Sequence, residues 1–180
     1  RELDKEFRKN ELAYLALTQK IEIPIRNRWA FSLHEKLKTS HIVSREWYKT
    51  DLAVLSENKE PIALIELKAM YSFDAFGAAL SKFTEKMKAD ENKATSIYTV
   101  LLVTHPKSFI PAQYSNKEIK YAGKINRCLG KFESPEVLQE KVSEVITSEM
   151  VDRNIATEGI IPGGEAFNVE TDILYWICKA

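Results

Sequence analysis

The chain has 180 residues, 26 lysines and arginines against 26 aspartates and glutamates, and a formal net charge of +0. This length predicts one domain over residues 1–180, because a chain of this size buries roughly 70% of its unfolded surface and needs no staple. Zero net charge excludes attraction of nucleic acid or membrane to the surface as a whole, so any such binding must be local.

The two cysteines, Cys128 and Cys178, are distant in sequence and form no CxxC motif. We expect both thiols to be reduced and buried, as in most cytosolic proteins. No apolar run approaches the ~20 residues of a membrane span. The charged N-terminus lacks the apolar segment of a signal peptide. The sequence therefore predicts a cytoplasmic location and no membrane partner.

Two amphipathic helices are predicted at the start of the chain. The residues that form one face of the first helix are spaced three or four apart: Leu3, Phe7, Asn10, Tyr14, Leu17 and Ile21. The second is expected to begin near Pro24, because proline is favoured in the first turn of a helix. Its apolar stripe has the same helical spacing: Ile25, Trp29, Leu33 and Leu37.

Three strands, a crossover helix and a fourth strand are predicted next, since apolar runs alternate with polar connections there. The strands are expected at His41–Trp47, Asp51–Ser56, Ile62–Ala69 and Ser96–Thr104, and the helix from Ala75 to about Asp90. Consecutive strands joined by a short turn are antiparallel, whereas the crossover makes the last two strands parallel.

The remaining tail is predicted to have mixed structure. The segment Asn116–Lys131 is irregular or helical and locally basic, and an acidic helix runs from Pro135 to about Met150. The sequence Pro162–Gly164 predicts a turn, and Ile173–Cys178 a final strand. The whole pattern predicts an α/β fold with a mixed central sheet flanked by helices.

The third predicted strand carries two charges near its end. Side chains alternate faces along a strand, so Glu66 and Lys68 share one face. Charges rarely lie on an apolar strand without partners or a metal. Antiparallel pairing with the preceding strand brings Asp51, which opens that strand, to the same end of the sheet. Two carboxylates beside an ammonium are groups that can hold a hard cation and a polarised water.

Asp51 followed by Glu66-Leu67-Lys68, in this order of elements, resembles the PD-(D/E)XK nuclease superfamily. The resemblance covers about residues 24–104 and implies a restriction-endonuclease-like core (α-β-β-β-α-β), with a C-terminal elaboration over about 105–180. The family's Asp falls on Asp51, its Glu on Glu66 and its Lys on Lys68. Thr50 stands where the family often has proline.

The resemblance also implies a chemistry for these residues. Asp51 and Glu66 would ligate Mg²⁺, or Mn²⁺ in its place, together with the backbone carbonyl of Leu67, and Lys68 would orient the attacking water. The implied enzyme is a metal-dependent nuclease, a DNA endonuclease of a restriction, repair or defence system. DNA is expected rather than RNA, and a homodimer would allow both strands to be cut. The family often adds an acidic residue, for which there are three candidates: Glu22, Glu35 and Glu46.

Other interpretations stay open. Glu66 and Lys68 are also compatible with a simple ion pair at a strand end. The fold would equally serve as a catalytically inactive module that binds nucleic acid, or that binds a protein through the acidic helix. The basic run Lys117–Lys131 is either a phosphate-binding surface or a solvated face. The histidines lack the spacing of a metal site: His34, His41 and His105.

Overall fold

A computed structural model describes residues 7–77, 80, 94, 96–150 and 154–179, in which groups of helices and groups of strands follow one another along the chain. The helices are α1 Glu11–Thr18, α2 Glu22–Leu37, α3 Ala122–Leu129 and α4 Pro135–Glu149. The strands are β1 Ile42–Trp47, β2 Thr50–Leu55, β3 Pro61–Tyr71, β4 Ser96–Pro106, β5 Asn154–Ala166 and β6 Val169–Lys179. None of the helices in the described part of the chain is both long and apolar enough to cross a bilayer.

The strands form a mixed six-stranded sheet in the order β1-β2-β3-β4-β6-β5. β1, β2 and β3 form an antiparallel meander, and β3 pairs with β4 in parallel. β6 is antiparallel to both β4 and β5. The prediction of an α/β fold with a mixed sheet flanked by helices is confirmed, as are the antiparallel and parallel pairings on either side of β3.

Strand alternation divides the core into two layers. Leu67 and Ala69 of β3 pack with residues of α1 and α2 on one face of the sheet. Met70 of β3 and Leu101 of β4 pack on the other face with residues of α3 and α4. Since each layer buries more than a dozen apolar side chains, the central strands are covered on both sides, which explains their nearly continuous apolar sequences.

The predicted crossover helix from Ala75 to Asp90 lies mostly outside the described residues. Within it, Phe76, Gly77 and Leu80 are helical. Downstream, the helix predicted at Pro135 is confirmed. The hydroxyl of Ser134 accepts a hydrogen bond from the Val137 amide at 3.4 Å, and proline occupies the first turn. This cap satisfies an amide that a helix start otherwise leaves unpaired.

The helix expected near Pro24 is confirmed, since α2 begins at Glu22 and Pro24 lies in its first turn. Two expectations were wrong. Of the helix predicted over Leu3–Ile21, the described residues 7–10 are not helical and α1 is Glu11–Thr18, while Leu3 lies outside the described residues. The predicted turn Pro162–Gly164 lies inside β5, at an irregularity between Pro162 and Glu165. β5 is an edge strand, the position at which a sheet accommodates proline. Gly164 adopts a φ of 86° at the bulge, which glycine reaches without strain.

Candidate active site

Asp51 and Glu66 meet where β2 begins beside the middle of β3. Leu52 pairs with Ile65 in the β2–β3 register, so the next step brings Asp51 to Glu66. The Leu67 amide donates to Asp51 Oδ2 at 2.8 Å, and the Asp51 amide lies 3.4 Å from Glu66 Oε2. The two carboxylates are therefore tied to each other's strand through backbone amides, and their relative position follows from the sheet register.

Glu66 and Lys68 project from the face of β3 that is opposite to α1 and α2. Leu64 and Met70 are separated from Glu66 and Lys68 by even numbers of residues, so they point to the same face, and both belong to core clusters there. Leu67 points to the other face and belongs to the layer under the two helices. Glu66 and Lys68 are both half-buried. Alternation thus places the carboxylate and the ammonium on the same side, as expected from the sequence.

β3 continues past the start of β2, so amides in this part of β3 have no β2 residue to pair with. Every second amide points to the β2 side, and three of these each donate to an acidic side chain instead. The Leu67 amide donates to Asp51, the Ala69 amide to Glu22 at 3.0 Å and the Tyr71 amide to Asp74 at 2.9 Å. Because the N–H and C=O of one residue point to the same edge of a strand, the Leu67 carbonyl faces this gap too.

Glu22 is the helix glutamate that reaches the site. It lies in the first turn of α2 and bonds the β3 backbone two residues beyond Leu67. Glu35 lies near the other end of α2, about 20 Å away by helical rise, and pairs with Lys38 at 2.9 Å. Glu46 is 70% exposed and, in the part of the chain that the structure describes, is linked to the site through Arg26.

Arg26 is a site residue that the sequence reasoning missed. Its Nη1 lies 3.4 Å from Asp51 Oδ1 and 3.0 Å from Glu46 Oε1, and its side chain is only 13% exposed. Arg26 follows Glu22 by four residues, so both project from the same face of α2. Two charged residues four positions apart in a helix that packs on a sheet form the sequence pattern from which Arg26 could have been predicted.

Lys68 and Thr99 are two further polar residues on the face of the sheet from which Glu66 projects. Among the residues that the structure describes, the Lys68 side chain has no hydrogen bond or ion pair. Thr99 pairs with Glu66 in the β3–β4 register and is 1% exposed. Its Oγ1 has no hydrogen-bond partner within the described part of the chain. A buried, unpaired hydroxyl costs free energy, so this position beside Glu66 favours a bound polar group.

The donor set fits a magnesium ion in kind. Mg²⁺ takes oxygen ligands and is usually held by one or two carboxylates, the rest of its shell being water or substrate phosphate. Asp51, Glu66 and the Leu67 carbonyl offer oxygen atoms of this kind. No group of three or more His, Cys, Asp or Glu side chains suited to a metal ion occurs among the described residues. A cation at Asp51 would also have to displace Arg26 from its carboxylate.

Comparisons with known proteins do not assign the chain to a family. No family model matches it, and neither a curated protein nor a solved structure is similar enough to count as a match. The geometry of this site is therefore the basis for a functional assignment.

Proposed function

We propose that the chain is a divalent-metal-dependent nuclease that hydrolyses phosphodiester bonds of DNA, on a core of the PD-(D/E)XK type. One observation carries the proposal. Asp51 and Glu66 lie at neighbouring positions of adjacent antiparallel strands, and Lys68 projects from the same face as Glu66. The order of α2, the β1–β3 meander and the parallel strand β4 supports the same core.

Each residue has a role in the proposed reaction. Asp51 and Glu66 would hold the metal ion with the Leu67 carbonyl, while the amide of Leu67 fixes the Asp51 carboxylate. When bound, the ion lowers the pKa of a coordinated water and neutralises charge on the scissile phosphate. The Lys68 ammonium orients the attacking water and stabilises the negative charge that develops on the phosphate oxygens.

Nicking of a supercoiled plasmid with Mg²⁺ or Mn²⁺ tests this function. We expect the wild type to nick and Glu66→Gln and Lys68→Met to lose at least a hundredfold in rate, since each removes a group that acts in the transition state. Glu57→Gln and Lys59→Gln are matched controls, because both lie exposed at the far end of the same β2–β3 hairpin. Nicking by the site variants at the wild-type rate contradicts the proposal.

A second candidate is a catalytically inactive module with this core. It is favoured by the hydrogen bonds that Asp51 and Glu22 accept from the Leu67 and Ala69 amides of β3, and by the Arg26 guanidinium against Asp51. These contacts give the carboxylates a structural role without any metal. In that case neither the wild type nor Asp51→Asn would nick a plasmid with any divalent cation, and Asp51→Asn would lower stability because the buried Arg26 guanidinium loses its charged partner.

A further inference from the structure

α3 has an apolar and a basic face. Ala122, Ile125 and Leu129 are buried in the core layer under α3 and α4. Lys124 and Arg127 lie on the opposite, exposed face of α3, three residues apart. Lys120 and Lys131 flank the helix, and we call the four residues the basic stripe: Lys120, Lys124, Arg127 and Lys131. The stripe concentrates four positive charges in a chain of net charge +0.

The stripe is not neutralised by neighbouring acids. The one acidic residue between positions 117 and 131 is Glu118, whose carboxylate accepts from the amide and hydroxyl of Ser115, each at 2.8 Å. Across the described ranges, no stripe residue forms an ion pair. By contrast, Lys107 and Lys141 are paired with glutamates. Charges left unpaired at regular spacing are suited to an external anion.

An aromatic ring fixes two ammonium groups of the stripe. Lys120 Nζ lies 5.3 Å and Lys124 Nζ 5.2 Å from the centroid of the Tyr121 ring. Edge-to-face contacts hold this ring against Tyr71 and Phe73. Tyr121 has a φ of 66°, which a bulky residue adopts only where its surroundings enforce it. These contacts restrain the lysines, so less side-chain entropy is lost when they bind an anion.

The stripe adjoins the end of β3 that carries the candidate site. Tyr71, which contacts Tyr121, follows Leu67 by four residues, or about 13 Å along a strand. The Lys120 amide donates to the Leu17 carbonyl, and the Tyr71 hydroxyl to the Gln19 carbonyl. Both acceptors lie just before Glu22, so the same short segment of chain borders the stripe and the site.

We propose that the basic stripe binds the phosphodiester backbone of the DNA whose scissile phosphate lies at Asp51 and Glu66; this inference rests on the proposed nuclease function. α3 is about 12 Å long by helical rise. Phosphates of one strand are spaced about 3.4 Å along the duplex axis, so this length spans three or four of them. Lys124 and Arg127 within α3, with Lys120 and Lys131 at its two ends, would meet this array of anions, and such contacts carry no base specificity.

Salt dependence of DNA binding, measured with metal removed by EDTA, tests this inference without requiring cleavage. The variant K120Q/K124Q/R127Q is compared with the control K9Q/K59Q/K179Q, which removes the same charge from scattered, exposed positions. Fluorescence anisotropy of a labelled duplex gives the slope of log K against log salt. The stripe variant is expected to flatten this slope by about two to three, and the control to leave it unchanged, because each lost phosphate contact contributes about 0.9.

Several outcomes overturn the inference. One is an equal slope of log K against log salt for the two triple variants. Another is that the wild type does not bind the duplex at low salt. A third is that the stripe variant loses self-association in sedimentation but keeps its DNA binding. Failure of the nuclease proposal has a different signature. If the stripe variant alone loses binding while no divalent cation produces nicking, the stripe is a DNA-binding surface on an inactive fold.

Discussion

Arg26 contacts two carboxylates of very different exposure. The Asp51 side chain is 15% exposed and the Glu46 side chain 70% exposed. Exposed ion pairs contribute little to stability because water and salt screen them, whereas a partly buried charge that loses its partner is costly. Arg26 therefore contributes to stability mainly through Asp51.

Replacing each carboxylate by alanine tests this asymmetry. We expect Asp51→Ala to lower the free energy of unfolding by about 2–4 kcal/mol, because the Leu67 amide and the guanidinium both lose a partner. Glu46→Ala is expected to cost less than about 1 kcal/mol. Urea denaturation of the two variants checks the difference, and equal losses would contradict it.

His105 is a buried titratable group away from the site. It is 1% exposed, and its Nδ1 has no hydrogen-bond partner among the described residues. Burial lowers the pKa of His105 to about 4, although the Glu136 carboxylate acts in the opposite direction. Asp172, its partner in the β4–β6 register, is also buried, which raises the pKa of that carboxyl.

The lowered pKa of His105 predicts loss of stability in weak acid. The unfolded chain takes up the proton near pH 6.5 and the folded protein near pH 4, so stability is complete above pH 6.5 and falls as the pH drops toward 4. Between pH 7 and 5 we expect a loss of about 2 kcal/mol in urea denaturation. Asp172 has the opposite sign and offsets part of this loss at the lower end. His105→Gln should abolish the decline, and an unchanged decline in that variant would show that other groups cause it.

At the scale of elements, the free edge of β3 depends on its carboxylate caps. Glu22→Gln keeps an oxygen that can accept from the Ala69 amide, whereas Glu22→Ala leaves the amide of this buried residue unpaired. We expect Glu22→Ala to cost about 1–3 kcal/mol of stability and Glu22→Gln clearly less. Faster hydrogen exchange of the Ala69 amide in the alanine variant would locate the effect. Equal stability of both variants would mean that the bond contributes nothing.

The bulge in β5 requires glycine. A Cβ at Gly164 would lie 2.5 Å from Asn10 Oδ1 and 3.1 Å from Asn10 Cα, at a φ of 86°. Gly164→Ala is therefore expected to destabilise the fold by about 2 kcal/mol or more. Gly123→Ala is the matched control, since it lies in α3 with nothing within 4 Å of its Cβ. That control should be neutral or stabilising by up to about 1 kcal/mol in thermal denaturation. A Gly164→Ala protein as stable as the control would contradict the bulge.

Elements with strong local signals were predictable from the sequence. β1 to β4 carry apolar runs between turn residues, and α4 carries its Ser134-Pro135 start. β5 was missed because Pro162 and two glycines are turn residues in isolation. Only the edge position of the strand and its bulge allow them there. Local sequence does not specify which strand becomes an edge, since that depends on the pairing of the whole sheet.

At the scale of the whole molecule, strand residues of the site were predictable and helix residues were not. Alternation along β3 and the short connection to β2 were enough to bring Asp51, Glu66 and Lys68 together. The choice between Glu22 and Glu35 depends on how α2 lies against the sheet, which is a tertiary contact. Arg26 was missed for the same reason.

The proposed function requires Asp51 and Glu66 to bind a metal ion as a pair. Isothermal titration of Mn²⁺ and Mg²⁺ into the wild type, Glu66→Gln and Glu35→Gln tests it most directly. We expect the wild type and Glu35→Gln to bind the ion with equal affinity and Glu66→Gln to bind at least tenfold more weakly, since a ligand charge is lost. Absence of binding to the wild type even with DNA present, or equal affinity in Glu66→Gln, would contradict the claim and leave the carboxylates as caps of the β3 edge.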